Sequence, residues 1–224
     1  EEILKKIKNF VFPLVMKPID NAGSRGVIKV EKINDISQIY DECTSFSNTK
    51  TVLIEEFLSG PQLSTESIII NNKIITTGFA DRNYDMDKKF SPYFIENGHT
   101  IPTVLSVKEK KQVIKIVEDS IKAIGINFGV AKGDIIIDNG QPKVLEMAAR
   151  TSGGRFASDM VPLSNGVNIL KPLIQMSLGE KIDMELLIPK FNKAAVQRFF
   201  FPPPGKLISI KGIDESMKMP GVYD

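Results

Sequence analysis

Hydrophobic and polar positions along this chain change period several times, and each change marks an element. The apolar run "VFPLVMKP" (11–18), closed by proline, predicts a buried strand. "VIKVEKI" (27–33) alternates apolar and polar, as a half-buried strand does. In "NDISQIYDECTSF" the apolar positions Ile36, Ile39, Tyr40 and Cys43 recur at helical spacing. "TVLIEEFL" (51–58) is a strand that ends in an acidic pair, and "LSTESIII" with "KIITTGFA" forms a hairpin around Asn71-Asn72. Residues 81–104 are irregular and polar-aromatic, the pattern of a functional loop. Ser106 with Glu109 makes a capping box that opens a long amphipathic helix, and Gly125 closes it. A second hairpin pairs "GVAKGDIII" with "QPKVLEMAAR". "GVNILKPLIQMSLG" reads as a helix with its first turns ahead of Pro172 and its stop at Gly179. "AAVQRFFF" reads as a strand with Phe199, Phe200 and Phe201 buried, before "PPPG" breaks the chain. Hairpins dominate over strict βαβ alternation, which predicts an α+β fold with antiparallel sheets.

Composition narrows the function classes. The 224 residues carry a formal net charge of only +2, and no long basic block is present, so nucleic acid is not the expected partner. One cysteine, Cys43, excludes an internal disulfide and fits a reducing compartment, so a cytoplasmic protein is expected. The start "EEILKKIKNF" lacks a signal-peptide core, and no apolar run approaches the about 20 residues of a membrane span. The missing initiator methionine and the abrupt end at "PGVYD" suggest a piece of a longer protein.

Four stretches can carry chemistry. In "VMKPIDNAGSRGV" Lys17 ends a strand, and a loop with Gly23, Ser24, Arg25 and Gly26 follows. Glycines let backbone N–H groups crowd an anion, and lysine adds a point charge; a plain turn beside a solvated lysine fits equally. Glu55, Glu56, Phe57 and Leu58 can form a purine slot, or simply a strand leaving the core. Asp134 and Glu146 lie on the two arms of the second hairpin. A three-residue loop at 138–140 sets Asp134 opposite Val144 with Glu146 diagonal, and a loop at 139–141 sets it opposite Glu146. A two-residue Asn-Gly turn would put the carboxylates on opposite faces. On one face, like charges at about 5–8 Å repel, and a divalent cation between them relieves this. Arg150 follows four residues after Glu146, suited to a phosphoryl group, and Arg155 lies behind two glycines, suited to a substrate carboxylate. Taken singly, both read as surface arginines. The lone His99 cannot build a zinc site and reads as structural, and Cys43 reads as core.

In order and spacing, "PLVMKP…GSRGV", "VLIEEFLSGPQLSTES", "GVAKGDIII…PKVLEMAAR" and "GG" resemble the ATP-grasp fold over roughly residues 10–180. The resemblance is to its carboxylate–amine ligases, of the L-amino-acid-ligase and phosphoribosylglycinamide-synthetase kinds, lacking their N-terminal subdomain. It implies two α+β lobes with nucleotide between them: 1–58 as the small lobe with the flap, 59–188 as the large lobe with the metal site, and 189–224 as a strand and tail on the large lobe. It implies that Lys17 contacts the ATP phosphates, that Gly23, Ser24, Arg25 and Gly26 form the flap, and that Glu55, Glu56, Phe57 and Leu58 form the adenine hinge. Gln62 falls at the ribose position, where many members carry glutamate, and Glu66 matches a carboxylate of the same strand. Asp134 and Glu146 match Mg²⁺ ligands, with Mn²⁺ as an alternative, and Arg150 matches the arginine that clamps phosphate, while Arg155 stays a candidate from its position alone. Many members read Glu-x-Asn-Pro-Arg, whose asparagine is a third metal ligand; here the run is Glu146-Met147-Ala148-Ala149-Arg150. The implied activity is ATP-dependent joining of a small-molecule carboxylate to an amine through an acyl phosphate. Alternatives are an ATP-binding module without ligase activity and a bicarbonate-using carboxylase or carbamoyl-phosphate-type enzyme. No membrane partner is expected, and a homodimer is left open.

Overall fold

The structure, a computed structural model, describes Ile7 and residues 9–223. The remaining stretch of the expected first lobe, residues 1–6 and 8, lies outside the described residues. Strand β1 (Leu14–Pro18) lies between β2 (Ile28–Val30) and β3 (Val52–Glu56) in a three-stranded antiparallel sheet. Its apolar side, Leu14, Met16 and Val30, packs on helix α1 (Ile36–Ser45) through Ile36 and Cys43. The alternation that buries Leu14 and Met16 turns Val15 and Lys17 to the opposite face.

A second, six-stranded antiparallel sheet runs in the order β8-β7-β4-β5-β6-β9. Its strands are β4 (Gln62–Ile70), β5 (Lys73–Asn83), β6 (Gly98–Ile101), β7 (Gly129–Asp138), β8 (Gln141–Ala148) and β9 (Ala195–Arg198). Asn71 and Asn72 join β4 to β5 with φ of 48° and 62°, the left-handed pair that a two-residue hairpin turn requires. Between β5 and β6 lies the short helix α2 (Asp87–Phe90), so the stretch 81–104 is more regular than its composition predicts.

One face of this sheet is covered by α3 (Val107–Ala123), which opens with the Ser106–Glu109 capping box. Val113, Val117 and Ile121, each one turn further along, pack on Leu63, Ile69, Ala131, Ile135 and Ile137. Each such side chain contributes about 1.5–3 kcal/mol by leaving water. The other face changes character along β4. Ile68 and Ile70 sit in a core with Phe156, Met160 and Val161, which the short helix α4 (Val161–Asn165) and α5 (Leu170–Ser177) cover. On the same face, Gln62, Ser64 and Glu66 lead away from that core toward the small sheet. A polar end is thus built into one strand face before any ligand is considered.

Two expectations at the C-terminal end are corrected. Helix α5 begins at Leu170, so Pro172 falls in its first turn, where its missing N–H costs nothing. Strand β9 ends at Arg198, and Phe200 is 95% exposed rather than buried. Of the run, Phe201 meets the Phe90 ring edge-on at 5.4 Å, while Phe199 and Phe200 lie exposed. A further short helix, α6 (Ile213–Met217), lies in the exposed tail.

Candidate functional site

A cavity of about 460 Å³ opens between the two sheets, within the usual size range for small-ligand sites. The small sheet contributes Val15, Lys17 and Ser24, and the chain passing between sheets contributes Glu55, Glu56, Phe57 and Leu58. The large sheet contributes Gln62, Arg82, Tyr84, Asp134 and Glu146. Lys17 and Glu55 come together because Lys17 pairs with Leu53 across the β1–β3 ladder, which leaves Glu55 diagonal on the same face. Their ion pair is 2.6 Å long. The Phe57 ring stacks on Phe94 at 6.2 Å, and the Lys29 ammonium lies 4.5 Å from its centroid. These contacts fix one apolar wall of the cavity.

The glycine loop folds as a turn, with Gly23, Ser24 and Gly26 at φ of 68°, 57° and 76°. Of its residues only Ser24 lines the cavity. Gly23 and Gly26 shape the turn, and Arg25 donates instead to Asn21 at 3.3 Å.

The second hairpin turns at Asn139-Gly140, with Asp138 paired to Gln141. That is the two-residue turn expected to part Asp134 from Glu146. The strand corrects it: Ile135 pairs with Val144, but Asp134 pairs with Glu146, so Leu145 is an extra residue in a β-bulge. The bulge reverses the alternation and brings both carboxylates to the cavity side.

Asp134 is 5% exposed and closely held. Ser64 Oγ donates to its Oδ1 at 3.2 Å, Arg82 Nη1 lies 3.1 Å from Oδ2, and the Lys132 ammonium contacts the same oxygen. Arg82 also grips Glu96 Oε2 through Nη2 at 2.6 Å and Nε at 2.7 Å. Burial disfavours its protonated form, yet Asp134 and Glu96 hold its pKa above the ordinary arginine value. His99 is buried beside this network, with Nε2 3.4 Å from Ser64 Oγ and Nδ1 3.1 Å from Glu96. Burial holds its pKa below the usual value despite Glu96. Glu146 is exposed in the cavity and has no ion pair among the described residues. Two oxygen donors opposite each other, one of them free, fit a single hard divalent cation that takes its remaining ligands from water and phosphate. Among the described residues no group of three or more His, Cys, Asp or Glu gathers.

Besides Gly23, Arg25 and Gly26, three more expected residues lie outside the cavity lining. Glu66 is fully buried, and its Oε2 accepts the Ser152 N–H at 2.8 Å. Burial raises its pKa to about 7, while hydrogen bonding from Ser152 and the charges of Lys132 and Arg150 draw it back down. Arg150 is exposed and donates to Thr151 O at 3.1 Å. Arg155, exposed with φ of 59°, precedes the single turn Phe156–Met160. The cavity also holds residues not foreseen from the sequence: Arg82, Tyr84, Phe94 and Lys143. Arg82 lies at the end of β5, Tyr84 just past it, and Phe94 follows α2, so the stretch 81–104 was flagged while its individual residues were not.

A profile described as an ATP-grasp domain matches residues 3–154. An uncharacterized protein of Sinorhizobium fredii is 24% identical over 216 residues, covering 95% of this chain and 43% of its own length. A D-alanine–D-alanine ligase of Prochlorococcus marinus is 29% identical over 185 residues, covering 79% of this chain and 50% of its own. The chain thus spans about half the length of these relatives. Among solved structures, the L-amino acid ligase from Bacillus licheniformis superposes with a TM-score of 0.69 at 22% identity. That match covers 83% of this chain and 44% of the other.

Proposed function

The chain belongs to the ATP-grasp family, and from that premise we propose that it is the nucleotide-binding and phosphoryl-transfer part of an ATP-dependent carboxylate–amine ligase. One observation carries this: a single cavity lined by a lysine-bearing sheet on one side and a paired-carboxylate hairpin on the other. The small lobe ends near Leu58, and the large lobe runs to about residue 188 with β9 added at its edge.

In this reading the base lies against Phe57 and Leu58, where a stacked aromatic wall suits a purine. Gln62, at the start of β4, faces the ribose. Lys17 leaves Glu55 for the phosphates, and the turn holding Ser24 covers them. Asp134 and Glu146 hold Mg²⁺, or Mn²⁺ in its place, which supplies charge neutralisation of the phosphates when bound. Arg82 stiffens Asp134 from behind. Arg150, on the loop that Glu66 anchors, and Arg155 reach the transferred phosphoryl group and the acceptor carboxylate after closure. The carboxylate oxygen attacks the γ-phosphorus, ADP leaves, and an acyl phosphate forms. The amine then attacks the acyl carbon, inorganic phosphate leaves, and the amine gives up a proton. Most of the rate comes from positioning and fixed charge. The name of the Prochlorococcus relative makes amino acids the first substrates to try.

ADP release by the intact protein, measured with Mg-ATP and amino acids singly and in pairs, tests the reading. Release that requires both a carboxylate and an amine supports it. Release driven by bicarbonate alone, or bound ATP that never turns over with any pair, rejects it.

A further inference from the structure

Four positions form a square on the cavity side of the second hairpin: Lys132 opposite Ala148, and Asp134 opposite Glu146. Three of the four carry charge. The fourth, Ala148, offers a methyl group where an oxygen would be needed to hold a second cation beside the first. The ammonium opposite it is not idle. Lys132 is largely buried, with a side chain 12% exposed, and it rests on the same Asp134 oxygen that Arg82 contacts. Buried lysines are uncommon unless paired, and here the pair is fixed by the strand itself, two residues apart on one face.

The charges then come within one of balancing without any ion. Asp134 and Glu146 supply two negative charges, Lys132 supplies one positive charge, and Arg82 supplies another that it shares with Glu96. Of these four groups, Glu146 is the one left open toward the cavity. A second divalent cation would have to sit against the Lys132 ammonium with no added ligand to offset the repulsion.

We infer that this site takes one divalent cation per bound nucleotide, on Glu146 and Asp134, and that the Lys132 ammonium serves as its second, built-in cation. The inference rests on the nucleotide reading above. It makes Lys132 a residue that positions charge, acting on the phosphates through Asp134 and the shared cation rather than on the reacting atoms.

Counting Mn²⁺ by electron paramagnetic resonance, in the intact protein saturated with a non-hydrolysable ATP analogue, tests it without reference to turnover. One Mn²⁺ per chain is expected. Lys132→Met, which keeps the apolar stem, is expected to weaken analogue binding at least tenfold while still holding one Mn²⁺. Lys132→Arg restores the affinity. The double change Lys132→Met with Ala148→Asn removes the ammonium and adds an oxygen, and is expected to bind two Mn²⁺. Two Mn²⁺ per wild-type chain, or unchanged analogue affinity in a folded Lys132→Met protein, overturns the inference and leaves the nucleotide reading standing. An analogue that does not bind the wild-type protein at all overturns both.

Discussion

Glu66 shows how one residue can be carried by its surroundings rather than by the ligand. Its carboxyl is fully buried and anchors the Ser152 backbone beneath the loop that bears Arg150. Burial lifts its pKa from 4.5 to about 7. The folded state therefore holds this proton more tightly than the unfolded chain. The stabilisation is complete below about pH 4.5, fades as pH rises toward about 7, and is absent above it. A difference of this size corresponds to roughly 3 kcal/mol. Glu66→Gln stays neutral at every pH and keeps an oxygen for the Ser152 N–H. Urea unfolding from pH 4.5 to pH 8 is expected to show the wild-type protein losing about 3 kcal/mol relative to Glu66→Gln. Parallel curves for the two proteins would place the pH dependence on other groups.

Between residue and fold, the decisive element is the bulge at Leu145. Asn139-Gly140 makes a two-residue turn, and alternation from that turn alone sends Glu146 to the face away from Asp134. One extra residue restores the pairing. Deleting Leu145 would remove the bulge but set Glu146 directly after Val144, still opposite Asp134, so the change that tests the pair is Glu146→Gln, which keeps the bulge and removes the charge. Calorimetric titration is expected to show Mg²⁺-dependent ATP-analogue binding falling at least about tenfold, the loss of one charge-assisted contact of 1.5–3 kcal/mol. Circular dichroism is expected to stay unchanged. Undiminished binding would remove Glu146 from the site. The same hairpin marks what was legible in the sequence. Lys17 and the Glu55–Leu58 run were readable because their placement follows from local alternation in β1 and β3. The bulge was not, since no residue type demands one at Leu145. Arg82 and Phe94 were not, since what brings them to the cavity is the long-range pairing of β5 with β6 and the packing of the 90–94 segment.

At the scale of the molecule, that segment straps the two sheets together from the side. Pro92 O accepts the Lys29 N–H of β2 at 2.9 Å, Tyr93 bridges Ile28, and Tyr93 Oη donates to Glu42 of α1 at 2.7 Å. The three-stranded sheet has a small core of its own and gains from this tie. A ligand in the cavity touches both sheets at once, so it stabilises the chain as a unit rather than one lobe. At one hundred times its dissociation constant, a Mg-ATP analogue is expected to add about 2.7 kcal/mol, which raises the melting temperature of a chain this long by about 5–10 °C. Lys17→Met removes the cationic contact from the small-sheet side and weakens binding by about 1.5–3 kcal/mol. At the same analogue concentration the remaining stabilisation is roughly 0.3–1.3 kcal/mol, a rise of only about 1–5 °C. Scanning calorimetry distinguishes the outcomes. One transition that moves upward as a whole, with a smaller shift in Lys17→Met, shows that the nucleotide bridges the sheets. A shift confined to the six-stranded sheet, or one equal in both proteins, would show that Lys17 never leaves Glu55.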